Sequence, residues 1–166
     1  MTNDPPLVVV MGVSGAGKST VGLALAALLD VRFVDADGLH PAANVAKMAA
    51  GTPLTDADRW PWLDLVGRAL ADAADSGLVV ACSALKRSYR DAIRAAAPGV
   101  RFAHLVVPRV VLGDRVANRP GHFMPPTLVD SQLETLEPLG ADEGGVVVDS
   151  EGGIEATAER ALAALR

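Results

Sequence analysis

Residues Gly12-Val-Ser-Gly-Ala-Gly-Lys18-Ser19 fit the string G-x-x-x-x-G-K-[ST]. Glycines at these spacings let successive backbone N–H groups turn inward around a phosphate, and a helix that starts there adds its partial positive charge. Lys18 then reaches the β- and γ-phosphates of a nucleotide, and the Ser19 hydroxyl ligates Mg2+. The candidate nucleotide-binding positions are Gly12, Ser14, Gly15, Ala16, Gly17, Lys18, Ser19 and Thr20. A second string competes: Asp35-Ala-Asp-Gly38 matches the D-x-x-G of GTP-binding switches. Those proteins also read guanine with [NT]-K-x-D. The only lysines are Lys18, Lys47 and Lys86, preceded by Gly17, Ala46 and Leu85, so no such string exists here.

The acceptor side needs a carboxylate and a counter-charge. Asp37 lies just beyond the second expected strand, where open α/β sheets bind ligands. It can orient an acceptor hydroxyl, take its proton, or hold a magnesium water; a plain turn aspartate is the alternative. The third strand ends Ala81-Cys82-Ser83 without a carboxylate, so the metal task falls to Asp37, with Asp35 as rival. Lys47, Arg59, Lys86 and Arg87 supply positive charge in the segments after strands two and three, and Lys86 is nearest a strand end. Arg87, Arg90 and Arg94 fall at i, i+3 and i+7 on one helix face, which for the latter two reads as a solvated charged face. Arg115 and Arg119, four apart, run into a loop rich in Pro and Gly that ends at Pro126. On a mobile cover they would close over a triphosphate and neutralise charge in the transition state. His40 and His122 flank the cleft in loops, His104 alternates within a strand as a structural residue, and Trp60 and Trp62 read as packing.

Positioning these groups requires a scaffold. Apolar, β-branched runs predict strands at 7–11, 31–34, 78–82, 102–107 and 146–149. Helical periodicity and end signals predict helices at 20–29, 41–51, 55–76, 86–97, 110–118, 127–136 and 154–165. Strands alternating with helices mean βαβ units, hence an α/β fold with a mostly parallel sheet covered on both faces. The 166 residues, half of them apolar, suit one domain with one core. Fifteen basic against twenty acidic residues give a net charge of −5, which argues against nucleic acid or an anionic membrane as the main partner. Cys82 is alone, which excludes an internal disulfide and a cysteine-rich metal site; the histidine spacing makes no zinc site either. The first apolar run stops at Gly12, too short to span a bilayer, so the expected setting is a reducing cytoplasm.

These residues together carry a pattern. The chain resembles the gluconokinases, phosphate-loop sugar-acid kinases in the wider group of nucleoside-monophosphate and shikimate kinases. The matching strings are Gly12 to Thr20; Asp37-Gly-Leu-His-Pro41 with Asn44, Lys47 and Met48; Gly51-Thr-Pro-Leu54 with Asp56, Asp58 and Arg59; Pro61-Trp-Leu63; and Cys82-Ser-Ala-Leu-Lys-Arg87 with Tyr89-Arg-Asp91. Arg115, Arg119, Gly121-His-Phe-Met124, Ser131-Gln132 and Leu136-Glu137 continue it. Ala36 departs from the pattern, standing where a glycine commonly precedes the aspartate. The resemblance implies ATP- and Mg2+-dependent phosphorylation of D-gluconate at its 6-hydroxyl by a cytoplasmic homodimer. It also implies a three-layer fold on a five-stranded parallel sheet, spanning 1–166 as one kinase domain, with a substrate segment near 38–76 and a lid near 115–126. In this reading Lys18, Asp37 and Arg119 are catalytic, and Arg115 with Arg119 closes on the nucleotide. Asp37, His40, Lys47, Arg59, Lys86, Arg87 and His122 face the substrate, Ser19 holds Mg2+ with Asp37 reaching it through water, and residues 146–153 resemble an adenine-side loop. A kinase of another small hydroxy acid or of a nucleotide is the alternative. For Asp37→Asn, steady-state assays are expected to show a steep fall in kcat with little change in ATP affinity; near-normal kcat would remove Asp37 from the chemistry.

Overall fold

A computed structural model describes residues 4–108, 110–112 and 126–166. Strands β1 (Leu7–Met11), β2 (Arg32–Asp35), β3 (Leu78–Ala81), β4 (Arg101–Val106) and β5 (Val146–Asp149) form an all-parallel sheet in the order β2-β3-β1-β4-β5. The helices among the described residues are α1 (Lys18–Leu29), α2 (Ala42–Ala49), α3 (Asp56–Asp72), α4 (Arg87–Ala96), α5 (Pro126–Thr135) and α6 (Ile154–Leu165). This is the doubly covered α/β arrangement that the alternating pattern predicts. The region expected to be a helix at 110–118 lies outside the described residues beyond 112.

Two cores follow from strand alternation. Val8 and Val10 of β1 face α1 and α6, meeting Val21, Leu25, Ala158 and Ala161. Val9 and Met11 face the other way, onto Leu63, Val66 and Leu70 of α3 and Ile93 of α4. Because β1 is central and buried on both sides, every position in it can be apolar. Helix α3 starts with a capping box: Asp58 N donates to Thr55 Oγ1 at 3.2 Å, and Thr55 N donates to Asp58 Oδ2 at 2.9 Å. Pro61 lies inside α3 and removes one early ladder bond, yet the helix continues because its Leu63-Val66-Leu70 stripe is buried.

Helix α4 departs from expectation. Arg90, read as part of a solvated face, is fully buried, and Arg94 is largely so. Arg90 Nε and Nη2 donate to Glu143 at 2.7 and 3.0 Å, and Arg94 also bonds Glu143 Oε1. Arg90 Nη1 donates to the carbonyls of Ala84 at 2.9 Å and Leu85 at 3.3 Å. The partner, Glu143, lies 53 residues away in sequence, so helical spacing carried no sign of it. Burial opposes ionisation of Glu143, but bonds from Arg90, the Gly140 N–H and Arg94 outweigh it and hold its pKa down to about 2, against an ordinary 4.5. A carboxylate depressed on folding contributes stability above its unfolded pKa and loses it as pH falls towards the folded value. The Arg90–Glu143 contribution is therefore expected to fade between pH 4.5 and about 2. Glu143→Ala, which strands a buried guanidinium, is expected to lose about 3–5 kcal/mol in urea unfolding at neutral pH. The acid-side slope of stability over that window is expected to flatten in the same variant.

Candidate active site

The phosphate loop is shaped by its glycines. Gly12 leaves β1 with φ +147°, and a Cβ there would lie 2.9 Å from the Leu105 carbonyl oxygen. Gly17 caps α1 in the left-handed region at φ 91°, with no side-chain cap and no acidic residue in the first turn. That leaves the helix N-terminus electropositive and suited to an anion. Lys18 Nζ donates to the Val13 carbonyl at 3.1 Å, folding its side chain back over the loop. Thr20 Oγ1 donates to Gly17 O at 3.1 Å and ties the first turn to the loop. Beside Gly15, Ala16, Gly17, Thr20 and Val21 runs a cleft of about 260 Å³ whose opposite wall is Ser150, Gly153, Ile154 and Thr157. The segment after β5 is thereby brought against the loop from across the sequence.

Ser19 Oγ donates to Asp35 Oδ2 at 2.7 Å, while Asp35 Oδ1 accepts from the Asp37 N–H at 3.0 Å. The carboxylate set against the expected metal ligand is thus Asp35, not Asp37. The reason is local: β2 runs to Asp35, which caps a short 3-10 turn over Ala36–Leu39, and the turn carries Asp37 round to an exposed position. Ala36 is buried and its carbonyl accepts from Trp62 Nε1 at 2.7 Å, which pins the turn to α3. Ser19 and Asp35 offer the hard oxygen donors that Mg2+ prefers, and two protein oxygens suit an ion that keeps several waters.

Facing this edge, His40 stacks on Trp62 with ring centroids 4.2 Å apart, and its Nδ1 lies 3.2 Å from Asn44 Nδ2. Burial lowers the His40 pKa, favouring the neutral ring. Lys47 Nζ bonds Asp58 Oδ2 at 2.7 Å; that bond, with the Thr55 N–H, holds Asp58 at about 2. A second group gathers around Asp56. Tyr89 Oη donates to Asp56 Oδ1 at 2.5 Å, Lys86 Nζ lies 3.5 Å from Oδ2, and Arg59 Nη1 sits 3.4 Å from both Oδ1 and Tyr89 Oη. Arg59 and Lys86 also lie 5.6 and 5.5 Å from the Tyr89 ring centroid. The Tyr89 hydroxyl, and after it the cations, lower the Asp56 pKa.

Arg87, one residue on from Lys86, leaves this group. Its guanidinium pairs with Asp142 at 2.5 and 3.0 Å, because Lys86 is the extended N-cap of α4 whereas Arg87 is its first helical residue. Its positive charge serves the segment after α5, not the group around Asp56. Lys86 itself is delivered by a turn containing Ala84, a buried non-glycine residue at φ 44° whose carbonyl is held by Arg90. Cys82, in the same turn, is buried and its thiol is pushed up to about 12, which makes it inert. Arg115, Arg119, His122 and the lid expected near 115–126 lie outside the described residues up to 125.

Asp56 and Tyr89 stood in the matching strings without a role, since a tyrosine 33 residues from an aspartate gives no periodic signal of contact. Gln132 is a further case: its Oε1 accepts from the Ser14 N–H at 2.6 Å.

Residues 7–139 match the family model described as "AAA domain". The chain is 50% identical over 149 residues to the gluconokinase of Gluconobacter oxydans (strain 621H), covering 89% of this chain and 84% of that one. The chain belongs to the gluconokinase family. It is 45% identical over 142 residues to the thermosensitive gluconokinase of Escherichia coli (strain K12), covering 84% and 75% of the two chains. A crystal structure of a gluconokinase from Sinorhizobium meliloti 1021 superposes with a TM-score of 0.88 at 48% identity, covering 97% of this chain and 91% of that one. As a member of this family the protein is a phosphotransferase with an alcohol acceptor and a nucleotide donor.

Tyr89→Phe keeps the ring and removes the hydroxyl that organises Asp56, Arg59 and Lys86. Steady-state kinetics are expected to show kcat/KM for the acceptor falling about tenfold, the scale of a lost hydrogen bond to a charged group. The KM for ATP is expected to move less than about twofold, as uniform donor binding is untouched.

Proposed function

We propose that the protein transfers the terminal phosphoryl group of ATP to the 6-hydroxyl of D-gluconate, giving 6-phosphogluconate and ADP. The observation that carries this reading is that one chain holds both a phosphate loop and a cluster of cations fixed around Asp56 and Tyr89. A sugar acid presents a carboxylate at one end and a hydroxyl at the other, so its acceptor site needs a cation remote from the carboxylate that activates the hydroxyl. Lys86 and Arg59 receive the acid group in this reading. Their contacts to Asp56, at 3.5 and 3.4 Å, are long, whereas Lys47 is committed to Asp58 at 2.7 Å and orders the start of α3. His40, stacked on Trp62, lines the polyol between them.

Asp37 orients the attacking hydroxyl and accepts its proton, consistent with its exposed carboxylate at the sheet edge. Lys18 and the loop N–H groups hold the β- and γ-phosphates, and the cleft lined by Ser150, Gly153 and Thr157 takes the nucleoside. Ser19 and Asp35 would hold Mg2+, which when bound neutralises charge on the phosphates. Arg119, with Arg115, closes over the transferring group in the same reading. Positioning and charge compensation carry the rate, since the transfer asks little covalent chemistry of the protein. The 1–166 chain works as one kinase domain, and the family likeness supports a cytoplasmic homodimer.

ADP release measured across gluconate, shikimate, glycerate, glucose and nucleoside monophosphates tests the reading. Gluconate is expected to exceed each other acceptor by more than about tenfold in kcat/KM, because buried polar groups reject acceptors that leave them unpaired. Faster turnover of any other acceptor would overturn it. In the same assay Asp35→Asn is expected to raise the Mg2+ concentration needed for half-maximal rate, and Asp37→Asn is not.

A further inference from the structure

Gln132, on α5, reaches the phosphate loop from 118 residues away. Its Oε1 sits 2.6 Å from the Ser14 N–H, next to Val13, whose carbonyl holds Lys18 Nζ. The loop's N–H groups are arranged to meet anionic oxygens, and here a neutral carboxamide oxygen occupies one of them. A carboxamide has an acceptor at one end and two donors at the other, so a half-turn of its terminal torsion converts a group that repels phosphate into one that binds it.

The same helix is anchored to the acceptor side. Just past α5, Glu137 N–H donates to the Leu85 carbonyl at 2.7 Å, and Glu137 Oε1 accepts from the Arg87 N–H at 2.7 Å. Those two residues flank Lys86. Helix α5 therefore joins the nucleotide loop to the base of the acceptor cluster, and Gln132 stands on the loop side of that join.

We propose that Gln132 is a further catalytic residue: when ATP is bound, its carboxamide leaves the Ser14 N–H to the terminal phosphoryl group and donates its own Nε2–H to an oxygen of that group. The inference rests on the kinase reading given above. It predicts selectivity by nucleotide state, because ADP lacks the group that Gln132 meets.

Gln132→Glu is nearly isosteric, but negative and acceptor-only; Gln132→Ala removes the group. Calorimetric titration with ADP and with a non-hydrolysable ATP analogue, alongside kcat on gluconate and thermal unfolding, provides the test. For Gln132→Glu the Kd of the analogue is expected to rise more than about tenfold and that of ADP less than about threefold, with kcat down more than about tenfold. Gln132→Ala is expected to shift both readouts in the same direction by a smaller factor, with an unchanged melting temperature. A merely structural latch would weaken both nucleotides by the same factor and lower the melting temperature; that result overturns the inference. So does kcat/KM within about twofold of the parent in both variants. Should the parent protein separate the analogue from ADP and yet leave gluconate untouched, the acceptor assignment fails, while the binding arm still decides the role of Gln132.

Discussion

Arg90 is an unfamiliar place to find a charge, in the packed layer between α4 and the sheet, and it is tolerated because all its directions are answered. Two guanidinium nitrogens meet Glu143, and another holds the carbonyls of Ala84 and Leu85. An isolated buried charge would be prohibitively unfavourable; a forked ion pair with satisfied donors is not. The consequence reaches beyond stability. Ala84 sits in a backbone region that a residue with a Cβ seldom occupies, and the turn it forms is what sets Lys86 beside Asp56 and Tyr89. The segment from Glu137 to Glu143 is held by Leu85, Arg87, Arg90 and Arg94, so Lys86 and the helix that touches the phosphate loop share one foundation.

The two halves of the site differ in how they are built. The nucleotide half is mostly backbone: loop N–H groups, a helix terminus and a strand end, with Ser19 and Asp35 as its polar side chains. The other half is side chain on side chain, with Asp56 and Tyr89 gathering Arg59 and Lys86, and Asp58 holding Lys47. Backbone cradles recur on unrelated proteins because any phosphate satisfies them.

Much of the fold was legible because it depends on local period. β1 and β5 match the expected 7–11 and 146–149, and α6 matches 154–165, since unbroken apolar runs and a clean helical stripe leave little choice. Helix α3 begins at Asp56, one residue from the expected 55. The phosphate loop could be read because its chemistry lies within eight consecutive residues. By contrast, Arg87, Arg90 and Arg94 look alike in sequence and end in different surroundings: one on Asp142, one wholly buried, one shared between Asp91 and Glu143.

The sequence by itself determined the class of chemistry, the strand-helix alternation and the family, because each is written in contiguous strings or fixed periods. Only the tertiary structure decided which carboxylate meets Ser19, which cations gather at Asp56 and what touches the loop at Ser14. Asp35 and Asp37 are two residues apart and chemically equal; the 3-10 turn after β2 separates them. Gln132 is ordinary until α5 brings it to the loop. These choices depend on where distant segments meet across the sheet, and no local pattern encodes such a meeting.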